Sequence, residues 1–204
     1  MFYALRGDAL KKLGRAAEAE QEYSEAITRN GEYYAYFLNR GLTRSRLGNA
    51  AGAQSDLERS NALLPTAAAH YVLGNLAQAG NNPAKAVEHF KLAAASDSDV
   101  GKRAGSSLAR LDLPRNPGSY VQVEPVADGN GNLGLRVTNR SSIPLRNLRV
   151  VGAVPQSGFS REYSLSGNLQ PGQSVVVAMG IRLPDVNASL GQVRGQIRSA
   201  ELAD

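Results

Sequence analysis

Apolar residues recur along this chain in two different rhythms. Over the first 110 residues they fall in helical blocks rich in Ala, Leu, Glu and Lys, all good helix formers, separated by Gly, Asn or Pro. The blocks predict helices near 2–13, 17–29, 33–47, 51–63, 67–79 and 84–95. A seventh is expected near 99–111, with Asp97, Ser98 or Asp99 as its N-cap and Val100, Leu108 and Leu111 as a weak apolar face. From residue 119 the rhythm becomes alternation, which predicts short strands. These begin with 120–124 and 133–139 on either side of Asp128-Gly129-Asn130-Gly131, a hairpin signal. Further strands are expected at 145–154, 160–165, 174–180 and 192–199, with Pro171-Gly172 as a turn.

The two rhythms meet at Leu113-Pro114-Arg115-Asn116-Pro117-Gly118. Two prolines and a glycine stop a helix and make a short, stiff joint. The expected organisation is therefore a helical domain over 1–113, a linker over 114–118 and a β domain over 119–204.

The helical part repeats itself. Aligning Gly7, Gly41 and Gly74 gives spacings of 34 and 33 residues. Four positions before each glycine stand Tyr3, Phe37 and His70. Seven after it stand Gly14, Gly48 and Asn81, which can close a helix and turn the chain. Ala19, Ala53 and Ala86 follow at twelve positions, and Tyr23, Leu57 and Phe90 at sixteen. Then come Ala26, Ser60 and Ala93, and finally Gly31, Pro65 and Ser98. The small residues let the two helices of a hairpin approach closely. The large ones are expected to fill the gap to the next hairpin. So short a hairpin cannot bury its apolar face alone, so the units must stack.

This pattern resembles the tetratricopeptide repeat (TPR) over residues 1 to about 98. The resemblance implies three TPR hairpins with a cap helix, an all-α superhelix followed here by a small all-β sandwich. Arg6 and Arg40 depart from it, standing where the family prefers an aliphatic residue. The family's ligand groove is lined by the first helix of each hairpin and takes an extended or helical peptide. Carried over, the groove positions are Ala4, Asp8, Lys11 and Lys12 in the first repeat. In the second they are Leu38, Asn39, Leu42, Ser45 and Arg46, and in the third Tyr71, Asn75 and Gln78. TPR co-chaperones that clamp a carboxylate tail use Lys, Asn, Asn, Lys and Arg. Those places here hold Ala4, Asp8, Asn39, Ala68 and Val72, so a chaperone-tail clamp is not expected.

The β part, with its strings LRVTNRSSIPLRNLRVVGAV and LQPGQSVVVAMGI, looks like the small immunoglobulin-like modules that follow other domains in bacterial envelope proteins. Repeats, cap helix, Pro-rich joint and β module together resemble the C-terminal, non-catalytic region of TPR-containing bacterial envelope zinc metalloproteases of the beta-barrel assembly-enhancing type. That resemblance implies a region recruiting substrates or a partner complex, in the periplasm or at the envelope, with the protease domain upstream. An independent TPR adaptor in envelope, pilus or lipoprotein assembly is the alternative. The helical pattern is already under way at Met1 without a cap, which favours a fragment.

Composition and charge narrow the chemistry. The net charge of +5 is spread out, with 14 Lys+Arg against 12 Asp+Glu in residues 1–113 and 9 against 6 beyond. No basic cluster with interleaved aromatics points to nucleic acid. No run reaches the roughly 20 apolar residues of a membrane span, and no signal peptide is read at the N-terminus. The absence of cysteine excludes disulfides and thiolate metal sites. The two histidines, His70 and His89, lack a zincin spacing, and His70 is read as a packing residue. No nucleophile elbow or phosphate loop occurs. Asp128–Asn132 reads as a hairpin rather than a calcium loop. Asn139-Arg140-Ser141 and Asn187-Ala188-Ser189 fit the glycosylation sequon without further support. A sugar site is disfavoured because the module has no Trp and mainly Tyr120, Phe159 and Tyr163 as aromatics. The expectation is a protein- or peptide-binding scaffold with no catalytic, metal or cofactor residues of its own.

Overall fold

The computed structural model describes residues 2–182 and 190–203. The chain divides into two compact units, Met1–Leu108 and Ala109–Asp204. Among the described residues seven helices run in chain order: α1 (Phe2–Lys12), α2 (Ala16–Arg29), α3 (Tyr34–Arg46), α4 (Ala50–Leu63), α5 (Ala67–Ala79), α6 (Pro83–Ala94) and α7 (Asp99–Asp112). Six strands follow: β1 (Val121–Ala127), β2 (Asn132–Asn139), β3 (Leu145–Val154), β4 (Phe159–Leu165), β5 (Ser174–Arg182) and β6 (Arg194–Leu202). A 3-10 turn at Pro117–Ser119 stands between the two classes of element.

Local chemistry sets the helix ends. Asn49, Thr66 and Asn82 cap α4, α5 and α6 by accepting from the backbone N–H of Gly52, Ala69 and Lys85. Pro83 then occupies the first turn of α6, where its missing N–H costs nothing. Of the three cap candidates for α7, Ser98 takes the role, its Oγ accepting from Gly101 N at 3.1 Å. Gly14, Gly48 and Asn81 all adopt positive φ, at 78°, 80° and 55°, as the turn inside each hairpin requires.

Each hairpin closes around its glycine. A Cβ on Gly7 would lie 2.8 Å from Tyr23 Cε1, one on Gly41 2.8 Å from Leu57 Cγ, and one on Gly74 2.6 Å from Phe90 Cε1. The large residues therefore sit over the glycine of their own hairpin. Leu57 also reaches Ala69 and Leu73 of the next, so it fills the inter-hairpin gap as well. Ala19, Ala53 and Ala86 are fully buried beside them.

Between hairpins one and two the interface is ionic. Arg40 on α3 forks onto Asp56 of α4 at 2.7 and 2.8 Å and donates to Ser24 Oγ of α2 at 3.1 Å. Arg44, one turn on, bridges Glu20 of α2 at 2.7 Å and Asp56 at 2.9 Å. Asp56 is only 4% exposed in its side chain. This network explains the departure at Arg40, and its counterpart in the first hairpin is Arg6 beside Glu22 at 3.3 Å. In both hairpins an acid stands sixteen residues after the arginine.

The second unit is a pair of three-stranded antiparallel sheets, ordered β1-β2-β5 and β4-β3-β6. Their inner faces share one core built on Leu133, Leu135, Val137, Leu148, Val150 and Met179. Gly152 lets Met179 approach, since a Cβ there would lie 2.9 Å from its Cε. Leu113 also joins this core, and Asp112 accepts from Asn116 Nδ2 and Tyr120 Oη. The strings Asn-x-Ser-Ser and Pro-Gly-Gln meet at one residue. The fully buried Asn139 donates to the carbonyls of Ile143 and Leu169, both at 2.8 Å, and its Oδ1 accepts from the N–H and Oγ of Ser141. Its backbone pairs with Gln173 and Gly172. The sequon at Asn139 is thus a folding element whose amide is consumed internally. The sequon at Asn187 lies outside the described residues.

Two stability outcomes are expected in urea unfolding. Gly74→Val forces an added side chain against the buried Phe90 ring and costs about 1–3 kcal/mol. Asp56→Ala leaves two guanidinium groups without their shared carboxylate and costs about 3 kcal/mol. A loss within experimental error for either variant contradicts the packing described.

Candidate functional site

The first helices of neighbouring hairpins touch each other directly, α1 with α3 and α3 with α5, so their outer residues form one continuous surface. At the α1 end three of the expected groove residues are brought together. Lys11 Nζ donates to Asn39 Oδ1 at 2.9 Å across the α1–α3 junction and lies 3.4 Å from Asp8 Oδ1. Asp8 also accepts from Tyr23 Oη at 2.7 Å. Burial raises the Tyr23 pKa, and the Asp8 hydrogen bond and charge raise it further, while nearby Arg46 acts the other way. Tyr23 therefore stays a neutral donor, and it engages Oδ1 of Asp8, whose side chain remains partly exposed.

In the middle of the surface Leu38 and Leu42 are half-buried and pack on Leu57, Ala69 and Leu73, with Val72 and Leu76 alongside. They form the apolar floor. At the α5 end the half-buried Tyr71 lies with its ring 5.9 Å from Phe90 and 5.4 Å from the Arg103 guanidinium of α7. Ala4 and Ser45 are half-buried, whereas Lys12, Arg46, Asn75 and Gln78 are exposed. The twelve expected residues thus divide by environment: a hydrogen-bonded cluster, an apolar strip, and an exposed cationic and amide fringe, with Ala4 and Ser45 half-buried. Arg103 is a fourth cation at this face that the repeat positions alone do not reveal, because it belongs to the cap helix.

The arrangement offers cations and an apolar strip. Among the described residues no group of three or more His, Asp or Glu is placed to hold a metal ion. Among the same residues no helix is long and apolar enough to cross a membrane. Tyr120, Phe159 and Tyr163 are partly buried and pack against the sandwich core. Asp128 accepts from the N–H of Asn130 and Asn132 and from Asn132 Nδ2, so it serves the hairpin turn.

The structure brings the two histidines together. His70 on α5 and His89 on α6 face each other with Nδ1 atoms 3.2 Å apart, and Asn61 Nδ2 approaches His70 Nδ1 at 3.4 Å. A hydrogen bond between the two Nδ1 atoms needs one of them as donor and the other as acceptor, which sets complementary tautomers on the two rings. Burial lowers the His70 pKa, the neighbouring His89 lowers it further, and Glu88 acts in opposition.

Comparison with known proteins bears on the helical unit. Residues 2–33 match the tetratricopeptide repeat family model. Among solved structures, the chain is similar to PcrH in complex with the chaperone binding region of PopD, at 16% identity over 53% of this chain and 87% of that one, with a TM-score of 0.51. It is also similar to the type III secretion translocator chaperone SycD of Yersinia enterocolitica, at 14% identity over 54% and 81%, TM-score 0.52. The first TPR of Spaghetti (RPAP3) bound to the HSP90 peptide SRMEEVD matches at 19% identity over 54% and 88%, TM-score 0.50. No curated protein matches the chain. The helical unit is a TPR-type fold, and these likenesses extend to that fold alone.

The histidine pair generates a pH prediction. His70 binds a proton less readily in the folded than in the unfolded chain, so its contribution to stability is present above the ordinary imidazole value of 6.5 and is lost as pH falls below it. The thermal midpoint should drop between about pH 7.5 and about pH 5.5, and His70→Gln should shrink that drop. Equal drops in both proteins would exclude the pair as the cause.

Proposed function

We propose that this chain is a non-catalytic binding region that holds a segment of a partner protein against α1, α3 and α5. The observation that carries the reading is the apolar strip of Leu38, Leu42 and Tyr71 flanked by the exposed cations Lys12 and Arg46. Such a surface suits an amphipathic or extended peptide with acidic residues beside its apolar anchors. The same helical fold holds a segment of PopD in PcrH and an HSP90 peptide in RPAP3. Four of the five carboxylate-clamp places hold other residues here and the one match, Asn39, is engaged by Lys11, which argues against tail-carboxylate capture.

The finer reading is that the chain recruits substrates or a partner complex for a bacterial envelope zinc metalloprotease, acting in the periplasm without chemistry of its own. Its support is the order of repeats, cap helix, Pro-rich joint and β module. The strand order β1-β2-β5 over β4-β3-β6 also suits an immunoglobulin-like sandwich shortened by its last strand. The second reading, an adaptor in envelope assembly, draws on the fold shared with the secretion chaperone SycD. A zinc-protease motif in the same reading frame would separate the two.

Crosslinking with mass spectrometry in the native cell, followed by recovery of the crosslinked protein on immobilised chain, tests the groove. Lys12→Glu combined with Arg46→Glu should cut recovery about tenfold while leaving the unfolding curve unchanged, since both side chains are exposed. Undiminished recovery would reject this surface, and turnover of any compound by the purified chain would reject the non-catalytic reading.

A further inference from the structure

The ionic interface between hairpins one and two has an empty counterpart between hairpins two and three. Shifting its five residues by the repeat spacing moves Glu20 and Ser24 of α2 onto Gln54 and Glu58 of α4. The same shift moves Arg40 and Arg44 of α3 onto Leu73 and Ala77 of α5, and Asp56 of α4 onto His89 of α6. All five of these residues line a single open cleft of about 360 Å³. The side chain that would fill it is the counterpart of Arg44, and that position is an alanine.

We propose that this cleft receives an arginine side chain presented by a partner protein, which takes the place that Arg44 occupies one repeat earlier. Arg44 shows how the space is used: its guanidinium lies between α2 and α4 and donates to a carboxylate on each. In the open cleft the acceptors are redistributed but retained. Gln54 stands in the place of Glu20, and its amide nitrogen donates to Glu58 Oε1 at 2.8 Å, which holds that carboxylate beside it. Glu88 lines the α6 side next to His89. Lys85 also lines the cleft and opposes a cation, so the two glutamates leave a net single negative charge.

The wall selects guanidinium over ammonium. Leu73, Leu76 and Ala77 offer an apolar face to a planar, weakly hydrated group, and the carboxylates suit its forked donors. A lysine ammonium would give up more hydration for fewer directed bonds. The site lies between α4, α5 and α6; of its lining only Leu73 and Leu76 also belong to the groove's apolar floor, and none of its polar groups is assigned to the groove. The proposal therefore stands or falls separately from the groove reading.

The test is a 15N-resolved NMR titration of the full chain with the blocked peptide Gly-Ala-Arg-Ala-Gly and its lysine and citrulline versions. The arginine peptide should shift the backbone amides of Ala77, Gly80 and Asn82 saturably, with a Kd in the millimolar range. The lysine version should bind about threefold more weakly, and the uncharged citrulline version should produce no saturable shift. Glu58→Gln, an exposed change, should weaken the arginine peptide about threefold. Ala77→Arg should abolish its binding by supplying the missing side chain from within, and should raise the thermal midpoint. Lys12→Glu with Arg46→Glu should leave binding at the cleft unchanged. The proposal is overturned if no saturable shift occurs at these amides. It is equally overturned if citrulline matches arginine, or if the peptide still binds folded Ala77→Arg or is indifferent to Glu58→Gln.

Discussion

The helical unit depends on a steric constraint repeated three times: a glycine on the first helix lies under a large side chain from the second. At Gly7, Gly41 and Gly74 there is no room for even one more carbon. This close approach brings the two helices of each hairpin together over a buried alanine. It also fixes which residues point elsewhere. Once one side of each first helix is committed to its own hairpin, another side is left for the neighbouring hairpins and for the open surface that bears Leu38, Leu42 and Tyr71.

What joins one hairpin to the next is less uniform. The first junction is crossed by Arg44 to Glu20 and Arg40 to Ser24, the two arginines being held by a nearly buried aspartate of their own hairpin. The second is made by leucines around Leu57 and Ala69, beside a histidine pair whose His89 also lines an open cleft. Polar junctions of this kind give orientation rather than large net stability, because the desolvation of each ion offsets much of the attraction. Apolar junctions tolerate sliding more readily. An array built from one of each has one junction tied to a single geometry and one with space left in it.

Much of this was legible beforehand, for identifiable reasons. Gly14, Gly48 and Asn81 announce their turns because few residues accept positive φ. The glycine, alanine and large-residue positions recur at a fixed period, so one alignment exposes all three hairpins. The strands were readable from alternation, and the Asn139 and Pro171-Gly172-Gln173 strings mark two segments that meet in space. The ionic junction was missed because each arginine reads as a departure when judged alone. The signal lay in pairs: Arg6 with Glu22 and Arg40 with Asp56, at the same separation. The histidine contact carried no such signal, since it depends on the register of α5 against α6. Nor did the cleft, which exists because a side chain is short.

The knot at Asn139 has a consequence for how the second unit acquires its order. One buried amide binds the end of β2, the turn into β3 and the segment before β5, while Ser141 closes the remaining acceptor. Strands β2 and β3 belong to different sheets, so neither sheet can mature at this end without the other. Fraying is suppressed there, and the transition becomes cooperative across the sandwich. Amide hydrogens around residues 139–145 and 169–173 should accordingly exchange with solvent only through global opening, making a surface-loop region one of the last parts of the module to yield.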